Sequence, residues 1–310
     1  MKKKKQSHTK EPPAFNKRAA EQSLNDIIAL IEGKDFSSVE EANAFLQGKL
    51  AKGGIPRAKA ETPLEKAQEL MYEAEVADPK RRLELAKQAL ALTPDCAEAY
   101  IILAESAASR DMPAAVEYAR EAVRAGERAL GKEPFEEDVG YFWGIMSTRP
   151  YMRAREALAE LLWYNKNYNE SIDVSNETLR LNPGDNQGIR YILAQHLMAV
   201  DRDDEFAALY KEYEDDGMAG FTYSHALWLF RRDGSSPEAN AALAEAVKCN
   251  PYIPGYLLFT RKMPSYLPDV HGIGDKNEAI TYVSGAIESW AHTKGALLWL
   301  RTRCGRRVRR

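Results

Sequence analysis

The chain has 310 residues, of which 45% are hydrophobic and 29% are charged, and its formal net charge at pH 7 is −3. This profile is typical of a globular or helical-repeat protein, and no run approaches the roughly 20 apolar residues that a membrane-spanning helix needs. The three cysteines are far apart, a spacing that matches neither a metal site nor a disulfide framework. We therefore expect reduced thiols, a cytoplasmic protein and no membrane partner.

The basic residues are concentrated at the two ends of the chain. Residues 1–10 carry five Lys and residues 301–310 carry six Arg, whereas all 46 acidic residues and the other 32 of the 43 basic ones lie between them. A nucleic-acid-binding domain would cluster its basic residues on one folded surface, so we expect no nucleic-acid partner. We predict a disordered basic tail at 1–16 and a basic Arg-rich tail at 301–310. The alternative is that a tail docks on an anionic partner or on the acidic body itself.

A short helical hairpin is predicted for residues 17–60, ahead of the main domain. Apolar residues recur there at helical spacing, at Leu24, Ile27, Ile28 and Ile31. Gly33 ends this run, and Ser38 with Glu41 forms the Ser-x-x-Glu pattern that begins a second helix.

Residues 61–300 show no sustained period-two alternation, which predicts an all-α domain. "LRLNP" ends at Pro183 and "VKCNP" at Pro251, 68 residues later, which is twice the 34-residue period of the tetratricopeptide repeat. "LALTP" ends at Pro94, 89 residues before Pro183, so an insertion of 21 residues is predicted, at about 131–151.

We therefore predict a right-handed α-solenoid of tetratricopeptide (helix-turn-helix) repeats over 61–300, with a short helical N-terminal prefix. Stacked helix pairs form one continuous core, which a single pair cannot do. The last unit, 254–300, is predicted to be a degenerate cap. The regular repeats are expected at 63–96, 97–130, 152–185, 186–219 and 220–253.

Several longer motifs resemble one family. They are "CAEAYIILAE" (96–105), "GYFWGIMSTRPYMRAR" (140–155), "LRLNPGDNQGIRY" (179–191), "NPYIPGYLL" (250–258) and "GDKNEAITY" (274–282). Over residues 63–300 the chain resembles the suppressor of tumorigenicity 7 family and, more closely, short bacterial tetratricopeptide-repeat proteins that carry this domain. The resemblance implies a helical-repeat protein with no catalytic residues to carry over. It does not transfer the membrane association of eukaryotic members, which comes with added hydrophobic segments.

No catalytic or cofactor motif is present. The sequence has no G-x-S-x-G, and its five histidines never stand at metal-ligand spacing. "HGIGDK" (271–276) lacks the pattern of a phosphate-binding loop, and we expect Asp275 to cap the following helix instead. We therefore predict that the protein is not an enzyme and has no metal or cofactor.

Binding is the favoured function. Positions 2, 5, 9 and 12 of the first helix of each repeat are expected to face a concave groove, where Arg and aromatic residues would suit a peptide or an acidic segment. The alternative is that some of these aromatic residues contact the next helix or the insertion. The candidate groove residues are Arg153, Glu156, Glu160, Trp163, Gln187, Arg190, Phe221, Trp228 and Arg231.

The sequence thus predicts a monomeric scaffold that binds a protein or peptide without catalysis. One alternative is an enzyme or small-molecule binder whose site is formed by the 131–151 insertion against the groove. Another is a structural subunit of a larger assembly.

Overall fold

A computed structural model describes residues 17–268 and 270–305. Within these ranges the chain forms sixteen α-helices, two short 3₁₀-helices and no strand, which confirms the predicted all-α fold class. The predicted tail at 1–16 lies outside the described residues, as do residues 306–310 of the predicted C-terminal tail. None of the helices that the structure describes is both long enough and apolar enough to cross a membrane.

The two predicted prefix helices are present as α1 (Lys17–Ile31) and α2 (Val39–Ala51). Ser38 begins α2 as expected, because its side chain accepts a hydrogen bond from the backbone N–H of Glu41. The Glu41 carboxylate reaches back to the backbone N–H of Ser37, one residue earlier than a full capping box requires. Both helices therefore begin or end where local side-chain chemistry predicts.

The described chain divides into two compact units, one formed by 17–134 with 143–154 and the other by 135–142 with 155–305. This division is made by spatial contacts. The predicted domain boundaries, which were drawn from sequence pattern, stay predictions.

In the first unit, paired helices follow α1 and α2. Small side chains let α3 and α4 approach closely, with Met71 and Leu85 filling the core between Ala67, Ala86 and Ala89. The helices of this part are α3 (Pro63–Glu75), α4 (Pro79–Leu92), α5 (Ala97–Ala108) and α6 (Met112–Leu130).

The second unit packs its helices around a large aromatic and aliphatic core that includes Phe206, Tyr223 and Trp290. The boundary between the units falls within α8. The helices are α7 (Glu133–Glu137), α8 (Arg149–Tyr164), α9 (Tyr168–Leu181), α10 (Ile189–Ala199), α11 (Asp203–Glu212), α12 (Ala219–Asp233), α13 (Pro237–Cys249), α14 (Ile253–Leu257), α15 (Lys276–His292) and α16 (Ala296–Cys304).

The helix pairs follow the predicted register. Pro94, Pro183 and Pro251 each stand two residues beyond the last residue of α4, α9 and α13. The predicted insertion at 131–151 contains α7, two 3₁₀-helices and the start of α8. Consecutive pairing within each unit is consistent with the predicted solenoid, while the tetratricopeptide type of the repeat stays a prediction.

"NPYIPGYLL" forms the turn between α13 and the short α14. Pro254 occupies the first turn of α14, where its missing N–H removes no helical hydrogen bond, and Ile253 is fully buried. The buried Asn250 side chain donates to the backbone oxygen of Asp275 and to the carboxylate of Glu278. These contacts join the end of α13 to the start of α15.

Candidate functional site

The candidate site is an open cleft of about 630 Å³ in the first unit. Its walls are formed by α1, by α3 and the residues before it, by the end of α6, and by residues 144–151. Gly126 allows α6 to approach Tyr151, because a Cβ at this position would lie only 2.9 Å from the Tyr151 ring. The cleft therefore depends on a close contact between α6 and the segment that leads into α8.

Six acidic side chains and Lys59 line this cleft in the part of the chain that the structure describes. Arginines next to the cleft pair with three of the acidic side chains: Arg153 with Glu21, Arg57 with Glu69 and Arg128 with Asp95. Hydrogen bonds from the backbone N–H groups of Thr62 and Glu61 lower the pKa of Glu65, which keeps this carboxylate charged. Ile28, Leu64 and Met146 add apolar surface. The acidic lining residues are Glu21, Asp26, Glu32, Glu65, Glu69 and Asp95.

A cluster of charged side chains lies where α1 meets the start of α8. Arg153 binds the Glu21 carboxylate with both terminal nitrogens, at 3.1 Å and 3.0 Å. Arg18 adds a hydrogen bond of 3.2 Å to Glu21, and Arg149 lies 3.6 Å from it. The Glu21 residue is only 6% exposed, so its charge is balanced by guanidinium groups rather than by water.

The second carboxylate of this cluster belongs to Glu98 on α5, which is 3% exposed. Glu98 accepts a hydrogen bond of 2.6 Å from Arg153 Nε and further bonds from Arg18 and Gln68. Burial alone would raise the pKa of Glu98, but Arg153 and Arg18 outweigh it and the pKa is lowered. We refer to Arg18, Glu21, Glu98, Arg149 and Arg153 as the charge cluster.

Tyr72 on α3 borders both the cleft and the charge cluster. Its hydroxyl accepts a hydrogen bond of 2.8 Å from the Asn25 side chain, and its ring lies 5.7 Å from the Arg18 guanidinium. Burial and the nearby charges of Glu21 and Glu98 raise the pKa of Tyr72 to about 12, so the phenol stays protonated. It acts as a neutral contact for α1.

Among the residues predicted to face a groove, Arg153 belongs to the charge cluster and the other eight lie in the second unit. Glu156 accepts a hydrogen bond of 2.6 Å from Gln187. Glu160 is exposed, and Trp163 stacks on the His196 ring at a centroid distance of 3.6 Å. Trp163 thus packs against α10, where His196 lies.

The predicted arginines of the second unit form ion pairs inside that unit. Arg190 contacts Asp216 at 2.6 Å and Asp185 at 3.3 Å. Arg231 contacts Asp203 at 3.0 Å and donates to Thr293. Their charges are therefore already balanced by carboxylates of the chain.

The last two predicted aromatic residues differ in burial. Trp228 is half-buried, and the Arg232 guanidinium lies 4.9 Å from its ring. Phe221 is fully buried between Tyr191 and Tyr210, so it packs in the core rather than facing a ligand. Whether the remaining residues bind a ligand stays a prediction.

Sequence reasoning missed most of the charge cluster because α1 was interpreted as a separate prefix. One signal was available. Glu98 is the second residue of the predicted repeat 97–130, and Arg153 is the second residue of the predicted repeat 152–185. Residues at equivalent positions of successive repeats lie near one another, so opposite charges at this position indicate an ion pair.

The described residues show little that would support catalysis. Burial raises the pKa of the Cys96 thiol to about 12, which leaves it protonated and unreactive. In the ranges 17–268 and 270–305, no group of three or more His, Cys, Asp or Glu side chains could hold a metal ion. The expectation that the protein is not an enzyme stays a prediction.

No family model matches the chain. It is similar to proteins named "Suppressor of tumorigenicity 7 protein-like" from Gallus gallus and Mus musculus, at 27% identity over 244 residues that cover 71% of the chain and 43% of each relative. The protein of this name from Homo sapiens is also 27% identical, with 42% of its length covered. The chain thus spans less than half the length of these curated relatives, and the likeness to short bacterial proteins stays a prediction.

Proposed function

We propose that the chain belongs to the suppressor of tumorigenicity 7 family and is a non-catalytic scaffold that binds a segment of another protein in the cleft of the first unit. The observation that supports this most is the cleft of about 630 Å³ with six acidic side chains and one lysine in its lining. Clefts of this size are typical of ligand sites. We further propose a cytoplasmic monomer with no nucleic-acid or membrane partner.

The proposed ligand is a basic segment, whereas the sequence favoured a peptide or an acidic segment in the predicted groove. Arg153, Arg190 and Arg231 already contact carboxylates of the chain itself. Glu21, Glu69 and Asp95 are likewise paired with arginines of the chain. The exposed Glu32 and Glu65 are the lining carboxylates proposed to contact lysine or arginine head groups, and the cleft adds apolar surface for their aliphatic stems. Charge complementarity of this kind accelerates association and selects a partner by sign.

Binding can be tested by fluorescence anisotropy with the full chain and a labelled decalysine peptide. We expect decalysine to bind, decaglutamate not to bind, and the affinity for decalysine to fall as NaCl is raised from about 50 to about 500 mM, because salt screens exposed charges. Binding of both peptides, or of neither, would contradict the proposal.

A matched pair of charge reversals locates the site. Glu32 is exposed and lines the cleft, whereas Glu84 is exposed on α4 and is not part of its lining. We expect E32K to weaken decalysine binding by roughly threefold or more, since one exposed charge contributes up to about 1 kcal/mol. E84K makes the same change in net charge and should leave the affinity close to that of the wild type. Equal effects of the two variants would place binding elsewhere.

One observation favours a small-molecule ligand as a second candidate. The predicted insertion contributes to the lining of the same cleft, through residues 144–147, 150 and 151. A small polycation such as spermidine would then raise the melting temperature of the full chain, while decalysine would not bind. The opposite pattern supports a protein segment.

A further inference from the structure

Helix α1 is attached to the first unit mainly through polar contacts. Glu21 is its only buried residue among those whose side chains are described, and Leu24 and Ile28 are each 45% exposed. Along the rest of the helix, Gln22 donates to Glu69 and Asn25 donates to Tyr72. The apolar burial that fastens most helices to a core is therefore small in α1.

The charge cluster supplies the strongest of these contacts. Arg18 and Glu21 stand one turn apart on α1, and they meet Glu98 on α5 and Arg153 on α8. Burying such ion pairs costs desolvation free energy that offsets much of the attraction between the charges. When α1 leaves, its charged side chains and those of α5 and α8 regain water. The net free energy of undocking is therefore smaller than the sum of the ion-pair attractions that are lost.

The surface beneath α1 has the chemistry of a receptor for a helix. Three helices supply side-chain partners for α1, namely Glu69 and Tyr72 on α3, Glu98 on α5, and Arg149 and Arg153 on α8. The segment before α3 adds a backbone hydrogen bond of 2.8 Å from Ala58 to Asp26. Without α1, Arg153 retains its bond to Glu98, but Arg149 and Arg153 lose the carboxylate that they share. A helix that replaces α1 must supply a carboxylate for Arg149 and Arg153, and a cation for Glu98 in place of Arg18.

We propose that α1 is a displaceable occupant of a helix-binding surface formed by α3, α5 and the start of α8. The partner that fits this surface is a helical segment of another protein with an arginine followed three residues later by a glutamate, the arrangement of Arg18 and Glu21 in α1. Such a segment replaces α1 and makes the same ion pairs. This surface shares Glu69 and Tyr72 with the adjacent cleft, and displacement of α1 removes one wall of that cleft.

Hydrogen exchange of the full chain tests the attachment of α1. We expect backbone amides of residues 18–31 to exchange faster than those of α3 and α5, because α1 opens without the rest of the unit. E21Q removes one charge of the cluster at constant size. We expect it to accelerate exchange in α1 by about tenfold or more, because the half-buried Arg149 and Arg153 lose their shared partner.

S23A serves as the matched control on the same helix. Ser23 is exposed, and its hydroxyl donates only to the Ala19 backbone oxygen within α1. In the S23A chain, backbone amide exchange of α1 should stay within about twofold of the wild-type rate, because a surface substitution of this kind changes stability little. Unchanged exchange in E21Q, or opening of α1 only together with α3 and α5, would overturn the proposal.

The receptor surface is tested with a labelled synthetic peptide of residues 17–31. The wild-type chain carries its own α1 on the surface, so we expect the peptide to bind the E21Q chain about tenfold more tightly than the wild type, since the occupied fraction of a site reduces its apparent affinity. A peptide with the E21Q change should not bind either chain. Failure of the unmodified peptide to bind E21Q would overturn the helix-binding surface. Decalysine binding to the cleft is measured separately, so the two proposals can fail independently.

Discussion

At the scale of single residues, two histidines of the second unit are held in the neutral form. The His196 side chain on α10 stacks on Trp163 with an angle of 3° between the rings, and the residue is 8% exposed. Burial lowers the pKa of His196 to about 4. His225 on α12 stacks on Tyr210 at 3.8 Å, and burial likewise lowers its pKa to about 4.

These lowered pKa values predict a loss of stability in mild acid. The unfolded chain binds a proton at His196 near pH 6.5, whereas the folded chain does so only near pH 4. The unfolded state therefore binds more protons between these values, and stability falls as the pH drops from about 7 towards 4. At about pH 5 the contribution of His196 amounts to roughly 2 kcal/mol.

H196F provides the test, because a phenyl ring can stack on Trp163 but cannot be protonated. The free energy of unfolding is measured by urea denaturation at pH 7 and pH 5. We expect the wild type to lose more stability between these values than H196F does. The histidine contribution would be absent if both proteins lost the same amount. Between pH 8 and pH 7 the contribution of His196 to the free energy of unfolding should be constant, whether or not it appears at pH 5.

At the scale of helices, local chemistry accounts for most of the boundaries. Asp275 begins α15 as predicted, since its side chain accepts from the backbone N–H of Glu278. Thr62 and Glu65 form a complete capping box at the start of α3. The short helices between residues 131 and 148 were not predicted, because segments of three to five residues carry no periodic signal.

Close packing of α6 against Tyr151 predicts opposite effects for two glycines. A Cβ at Gly126 would lie 2.9 Å from a ring carbon and 3.1 Å from the backbone Cα of Tyr151, whereas a Cβ at Gly48 in α2 would meet nothing within 4 Å. We expect G126A to destabilise the chain by about 1–3 kcal/mol through overpacking. G48A should stabilise α2 by up to about 1 kcal/mol, because alanine has the higher helix propensity.

Thermal denaturation of the two variants is the measurement. The melting temperature should fall for G126A and rise slightly for G48A or stay unchanged. A G126A protein as stable as the wild type would show that α6 can move away from Tyr151 without cost.

At the scale of the whole molecule, stability comes from side chains that meet across distant parts of the chain. In the second unit Trp290 is fully buried, its ring lies 6.5 Å from Tyr223 and 6.2 Å from Trp299, and its indole N–H donates to Tyr282. These contacts join α12, α15 and α16. The α15 helix therefore contributes a fully buried side chain to the core of the unit, and the predicted capping role of residues 254–300 stays a prediction.

Truncation of this ring should be costly. W290A removes a fully buried indole, and we expect it to destabilise the second unit by about 3–5 kcal/mol. Hydrogen exchange should then become faster in α12, α15 and α16. L298A is the matched control on α16, because Leu298 is 68% exposed, and it should change stability by no more than about 0.5 kcal/mol. Unaltered exchange in W290A would mean that these helices do not depend on the indole.

The sequence by itself determined the all-α class, the starts of α2 and α15, and the prolines that follow α4, α9 and α13. Caps, prolines such as Pro94 and Pro183, and apolar periodicity act within a few residues of each other, so they can be interpreted without knowledge of the fold. The charges of Glu98 and Arg153 were visible too, but not what they contact.

Only the tertiary structure decided where α1 docks and which charges remain available to a ligand. Glu21 and Arg153 are 132 residues apart in the chain, and no local pattern indicates that they meet. Arg153 was predicted to face a ligand, and in the structure it binds a carboxylate of α1 instead. Ion pairs depend on distance and burial rather than on sequence spacing, which is why only the fold shows which arginines and carboxylates already neutralise each other.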